Sequence, residues 1–193
     1  MTPHPRVGRD HILDIAETLF TEHGYKSASI REIAHDCGVT NAAIYYHFPN
    51  KESLFMEVMQ RHAERLHDQM TLAGANIDSP RERIVAILTT YVDTIAGQHA
   101  PIFMLRRNMK HLKAPGSHRG LLMKSISQPL IEAIKLAQQS GQIKKKPNPE
   151  EAAALLLGML HGLQHHAAGG EGKNISQNDA QMAVDLFWDG IKK

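Results

Sequence analysis

Apolar positions recur along this chain at intervals of three and four residues, the period of an α-helix with one face turned to a core. In residues 10–22, DHILDIAETLFTE, the side chains Ile12, Leu13, Ala16, Leu19 and Phe20 share one face. Gly24 after His23 predicts a left-handed stop. SIRE, residues 29–32, is a capping box in which the serine caps a second helix and the glutamate reaches back. Ile30, Ile33 and Ala34 then face inward, and Gly38 breaks the helix. Thr40 caps a short third helix that ends near Phe48 at Pro49, and Asn50 caps a fourth. The fourth carries Leu54, Phe55, Val58 and Met59 and runs to Leu72.

The same period continues to the C-terminus. AGANIDSP reads as a loop, followed by a helix from Arg81 to Ala96 with Ile84, Ile87, Leu88, Tyr91, Val92 and Ile95 inside. Pro101 opens a helix to Leu112, KAPGSHRG forms a turn, and a further helix spans Leu121–Gln139 with Pro129 bending it. KKKPNP is a solvated linker. Asn148 or Pro149 begins the strongly apolar helix EEAAALLLGMLHGLQHHA, which Gly169 and Gly170 end. A last helix, Gln177–Ile191, carries Met182, Leu186, Phe187 and Ile191 on one stripe. Alternating strand patterns and internal repeats are missing, so the expected class is all-α.

Residues 30–36 and 41–47, joined by a tight turn at Gly38, have helix-turn-helix geometry, in which the second helix enters a DNA major groove. In VTNAAIYYHFPNK the side chains Val39, Ile44 and Phe48 anchor the short helix. Thr40, Asn41, Ala43, Tyr46 and His47 then point outward, with Tyr45 at the edge. Hydroxyl, amide and imidazole tips donate to phosphates or read base edges, and the small Ala42 and Ala43 allow close approach to the groove. Lys51 falls in the first turn of the fourth helix, where the dipole disfavours a cation. A phosphate bound there would be gripped by lysine and backbone amides together.

Composition narrows this picture. The 193 residues, 42% of them hydrophobic, suffice for one large or two small domains with a sizeable core. The single cysteine, Cys37, rules out an internal disulfide. The sequence holds no apolar run long enough to span a membrane and no apolar signal-peptide centre, so a cytoplasmic protein is expected. A net charge of +2 argues little for nucleic acid, and most of the 13 histidines read as scattered surface residues. Residues 1–51 hold five basic residues (Arg6, Arg9, Lys26, Arg31, Lys51) against six acids (Asp10, Asp14, Glu17, Glu22, Glu32, Asp36), a balance of −1. Residues 37–51 contain no acid. One such head binds DNA weakly, so two copies on one duplex, and therefore a dimer, are expected.

The stretch GRDHILDIAETLFTEHGYKSASIREIAHDCGVTNAAIYYHFPNKESLF resembles the N-terminal DNA-binding domain of the TetR family of transcriptional regulators. Arg9 before ILDIA, the phenylalanine and glycine-tyrosine of LFTEHGY, then SIREIA, CGV and IYYHFPNKESL carry the likeness over residues 8–60. The resemblance implies phosphate contacts from Ser29, Tyr45, His47 and Lys51, with Arg9 within reach of a phosphate. It implies base or groove contacts from Thr40, Asn41, Ala43 and Tyr46. Ala42 and Ala43 depart from the commoner pattern of glycine and a hydroxyl residue, which shifts weight to Asn41 and Tyr46.

The resemblance further implies a DNA-binding domain at 6–66, with its motif at 29–48, and a helical domain at 67–193 for effector binding and dimerisation. The chain would then be a repressor that leaves a palindromic operator when a small-molecule effector binds, with no required cofactor and double-stranded DNA and a second copy as partners. For the dimer seam the apolar helix and the last helix offer Leu156, Met159, Leu160, Leu163, Phe187 and Trp188; covering the monomer core is the other use of these helices. Tyr91, Phe103, Met104, Met109, Met123 and Met159 are the pocket candidates, although apolar residues at helical spacing are more often plain core. His161 and His165 have a spacing that can hold a metal, or form a polar edge; His99, His111 and His118 can hydrogen-bond a ligand or water. A metal-binding enzyme and a protein-interaction module are the competing classes. The first lacks a nucleophile motif, a phosphate-cradling glycine loop and a paired carboxylate–histidine cluster, and the second would call for an apolar recognition face.

Overall fold

The computed structural model describes residues 8–95, 115–168 and 175–192, without the side chains of 115–119 and 165–168. Among the described residues the chain forms eight helices: α1 Arg9–Ser27, α2 Ile30–Asp36, α3 Asn41–His47, α4 Lys51–Gly74, α5 Pro80–Ile95, α6 Pro115–Gln139, α7 Pro149–Ala168 and α8 Gln177–Ile191. The architecture is all-α, as the periodicity predicts. The helix expected from Pro101, with Phe103, Met104 and Met109, lies outside the described residues, as do His99 and His111. Two compact units emerge, one of residues 8–62 and 115–120, the other of 63–95, 121–168 and 175–192.

In the first unit Ile12, Leu13, Ala16 and Phe20 of α1 are buried, as are Ile33 of α2, Ile44 of α3 and Leu54 and Phe55 of α4. Phe20 meets Phe55 edge-to-face at 5.2 Å between centroids, and Tyr25 stacks obliquely on Phe55 at 4.7 Å. The caps expected from the sequence form. Ser29 Oγ accepts from Glu32 N–H at 3.1 Å while Glu32 Oε2 accepts from Ser29 N–H at 2.7 Å. Thr40 Oγ1 accepts from Ala43 N–H at 3.2 Å, and Asn50 Oδ1 from Ser53 N–H at 2.8 Å.

Gly24 differs from its expected form. At φ 77°, ψ 162° it occupies an extended region open only to glycine, not the left-handed helical one. The chain kinks there and adds a last helical stretch to Ser27, which places Tyr25 against Phe55.

In the second unit α5 buries Ile84, Ile87, Leu88, Tyr91, Val92 and Ile95. α8 packs on both α5 and α7. Its buried residues are Ala180, Ala183, Val184 and Phe187, whereas Met182 and Leu186 of the expected stripe are exposed. Small alanines win the inward positions because they let helix backbones approach closely. Arg81 of α5 pairs with Asp185 of α8, and Gln177 Nε2 donates to Asp93 Oδ2 at 2.9 Å.

The turn expected at KAPGSHRG is instead, from Pro115 on, the start of α6. Proline suits a first helical position because its φ is preset and its missing N–H would find no helical partner there. The lysines of KKKPNP are exposed. The segment is stitched at one end: Ile143 is buried, and Lys144 N–H donates to the Ile191 carbonyl at 2.8 Å.

The capping box carries a pH signature. Hydrogen bonds from Ser29 hold the Glu32 carboxyl below its usual range. A depressed folded-state pKa contributes stability above the unfolded pKa and loses it as pH falls through the folded one. Glu32→Gln is therefore expected to lower the melting temperature at neutral pH, with the deficit shrinking on acidification; thermal melts across pH measure it. Ser29→Ala is expected to cost roughly 0.5–2 kcal/mol.

Candidate nucleic-acid interface

The turn between α2 and α3 follows from one glycine. Gly38, at φ 67°, lets Val39 N–H reach the Ala34 carbonyl at 2.9 Å and its own N–H reach the His35 carbonyl at 2.9 Å. This pair is the Schellman closure of a helix, and it needs a positive φ that side chains with a Cβ resist. Cys37 caps α2 just before it and is buried. Burial first, then the charge of Asp36, pushes its thiol pKa up.

α3 presents two unlike faces. Ile44 and Phe48 are 0% and 1% exposed. Tyr46 is 85% exposed and Tyr45 50% exposed, and Thr40, Asn41 and Ala42 also face solvent. Ala43 and His47 are half-buried, with the rings of Tyr46 and His47 edge-to-face at 5.1 Å. Thr40, Asn41, Tyr45 and Tyr46 thus offer hydroxyls and an amide on one short, rigid surface. The Thr40 oxygen already accepts a capping bond, which leaves its hydroxyl hydrogen free to donate, while the Ser29 hydroxyl is engaged with Glu32 in the capping box.

The two cations assigned to phosphates from the sequence are held from within. Lys51 Nζ donates to the Lys26 carbonyl at 3.2 Å and lies 4.6 Å from the centroid of the Tyr25 ring. Desolvation lowers its pKa, against an opposing pull from Glu32. Arg9 stands over the Phe48 ring, 5.1 Å from its centroid, and pairs with Glu57 of α4. Tyr25 and Glu57 are neighbours of these cations to which sequence reading gave no role of their own. Glu57 is 48 positions from Arg9, and no local spacing signals their pairing. For Tyr25, the preceding glycine and its kink were the available clue.

In the second unit Tyr91 is buried, and its hydroxyl lies 2.6 Å from His161 Nε2. Burial drives the phenol pKa well up. Met123 and Met159 are half-buried. The imidazole proposed for a metal thus shares a hydrogen bond with a phenol; the His165 and His118 side chains lie outside the described ones. Among the described residues no group of three potential ligands gathers for a metal. Of the residues expected in a dimer seam, Leu156, Leu160 and Phe187 are buried within their own unit, and Met159, Leu163 and Trp188 are half-buried. On an α-helix their neighbours turn the other way: Leu155, Met182 and Leu186 are 56%, 42% and 63% exposed.

Comparison with known proteins fits this layout. Residues 12–58 match the family model described as bacterial regulatory proteins, tetR family, and residues 77–184 match the tetracyclin repressor-like C-terminal domain. The chain is 32% identical over 107 residues to the transcriptional repressor KstR2 of Rhodococcus jostii, covering 55% of this chain and 52% of that protein, about half its length. It is 30% identical over 172 residues to the repressor BepR of Brucella suis, covering 84% and 81%. Its fold is similar to that of SmeT, the repressor of the Stenotrophomonas maltophilia multidrug efflux pump SmeDEF, with a TM-score of 0.73 at 20% identity over 100% of this chain and 92% of that one.

The two faces of α3 are expected to separate in mutants. Ile44→Ala removes a fully buried side chain and is expected to cost roughly 2–5 kcal/mol. Tyr46→Ala lies on the open surface and is expected to stay within about 0.5 kcal/mol of the parent. Denaturant titration of both variants checks this, and a large loss for Tyr46→Ala would place that ring in the core.

Proposed function

Because the chain belongs to the TetR family of DNA-binding transcriptional regulators, we propose that it is a ligand-responsive repressor that holds a palindromic operator as a homodimer. A small molecule bound in the second unit then releases the operator. The observation that carries the DNA half of this reading is the inversion of α3, with its aliphatic and phenyl side chains inside and its phenols, amide and hydroxyl outside. Asn41 and Tyr46 read base edges, Thr40 and Ala43 line the groove, and Ser29, Tyr45, His47 and Lys51 bind phosphates. Lys51 exchanges a carbonyl for a phosphate at the start of α4, so its charge is already at the interface and only its hydrogen bond changes partner.

Dimerisation is supported by the exposed apolar side chains of α7 and α8. Leu155, Met182 and Leu186, beside the exposed small residues Ala154, Gly158 and Gly162, form a surface that a second copy would cover. The dimer holds two copies of α3 about 34 Å apart, one turn of DNA. An effector that favours another spacing lowers DNA affinity, and a coupling of about 1–3 kcal/mol is usual for such systems. Tyr91, Met123 and Met159 are candidates for the effector site, as are Phe103, Met104 and Met109, which lie outside the described residues. α4, continuous from Lys51 to Gly74, is the element through which a shift reaches Lys51. No cofactor is needed for this cycle.

Selection of bound sequences from a random duplex pool tests the proposal. The expected result is a palindrome, and failure to enrich any sequence would overturn it. On the selected duplex, Asn41→Ala is expected to cost roughly 1–3 kcal/mol and to relax the sequence preference. Lys51→Ala is expected to weaken binding to all sequences alike and to make the salt dependence shallower by about 0.9 per head.

A further inference from the structure

The two cations assigned to phosphates, Lys51 and Arg9, are neutralised to different degrees. Lys51 is bonded to a neutral carbonyl, so its positive charge still counts toward any polyanion nearby. Arg9 is bonded to a carboxylate, that of Glu57, so at a distance the pair has almost no net charge. Both partners are partly exposed, at 47% and 31% of the side chain, so the pair meets solvent and an approaching phosphate rather than lying sealed in the core. The Phe48 ring under the guanidinium fixes it at the end of α3.

Non-specific attraction to DNA is a count of available cations, whereas sequence preference comes from base-edge contacts. From this we infer that Glu57 is a specificity-determining residue, keeping Arg9 out of phosphate binding on DNA that lacks the preferred sequence. The inference rests on the DNA-binding reading above. On random DNA the contacts are loose, and Arg9 stays with its carboxylate. On the preferred sequence the base contacts of α3 seat the head, phosphates are brought against Arg9, and the exchange becomes favourable. The ion pair thus withholds affinity that would otherwise be shared by every sequence.

The test uses the full chain and two probes, random-sequence duplex DNA and the duplex enriched by selection, each titrated over a range of salt. Glu57→Gln keeps the shape and removes the charge. It is expected to bind random duplex about two- to fivefold tighter per head, the range set by an exposed ion pair. Its salt dependence on that probe should steepen by about 0.9 per head. The gain on the enriched duplex should be smaller, so the ratio of the two affinities falls. Adding Arg9→Gln to Glu57→Gln should erase the gain. The doubly neutral variant, which keeps the net charge of the parent pair, should bind random duplex at the parent level, whereas Arg9→Gln alone leaves the Glu57 carboxylate uncompensated and should bind it more weakly, a result that does not depend on how the Glu57 variant folds. Unchanged or weaker random-duplex binding by Glu57→Gln, a gain that survives loss of Arg9, a double variant that binds random duplex below the parent level, or unchanged binding by Arg9→Gln alone would each overturn the inference. Failure of the parent chain to bind either duplex would instead remove the DNA-binding reading itself.

Discussion

Everything presented by the head depends on the burial of two side chains, Ile44 and Phe48. α3 is only seven residues long, and an isolated helix of that length is unstable in water because nucleation costs more than so few hydrogen bonds return. It persists because Ile44 is driven into a core already built from Phe20, Phe55, Ile33 and Leu54, and because Phe48 locks its exit. Thr40 at one end and the Gly38 closure before it fix where the helix starts. Once those are set, the remaining side chains have no inward place to go, and the exposed phenols follow from geometry.

The electrostatics of the head are restrained. A groove-binding surface usually advertises itself by positive charge. Here residues 37–51 are free of acids, but the nearest strong cation from α1 is tied to Glu57, and Lys51 rests on Tyr25. The cation–ring contact and the carbonyl bond order the lysine stem in advance, so less side-chain freedom is lost when a phosphate arrives. Pre-ordering of this kind suits a head whose net charge is small.

Local rules were legible in the sequence, and long-range pairings were not. The capping box at Ser29, the Thr40 and Asn50 caps and the inward positions of α1 and α5 each depend on residues within one or two helical turns, which spacing reveals. The start of α6 at Pro115 was missed because proline and glycine together suggest a turn, while proline alone at a first helical position suggests a beginning. In α8 the periodicity gave a helix with the correct ends and the wrong stripe. Of the stripe Met182, Leu186, Phe187 and Ile191 only Phe187 is buried, and Ala180 and Ala183 take inward places because α8 lies against two helices at once. Leu156, Leu160 and Phe187, offered by the sequence for a dimer seam or for the monomer core, are buried within their own unit. For the recognition surface, helical spacing separated Ile44 and Phe48 from the exposed polar set, but it gave no hint that Arg9 meets Glu57, because that contact joins the first helix to the fourth.

Cys37 adds a property that has nothing to do with transcription. It is the chain's single thiol, it caps α2 beside the turn, and both burial and the neighbouring Asp36 keep it protonated. Only the thiolate reacts with alkylating reagents. Its modification rate is therefore a clock for opening of the α2–α3 corner, readable in the intact molecule without any engineered label. A bound duplex that clamps the corner would slow that clock, turning a buried sulfur into a kinetic gauge of how firmly the head is held.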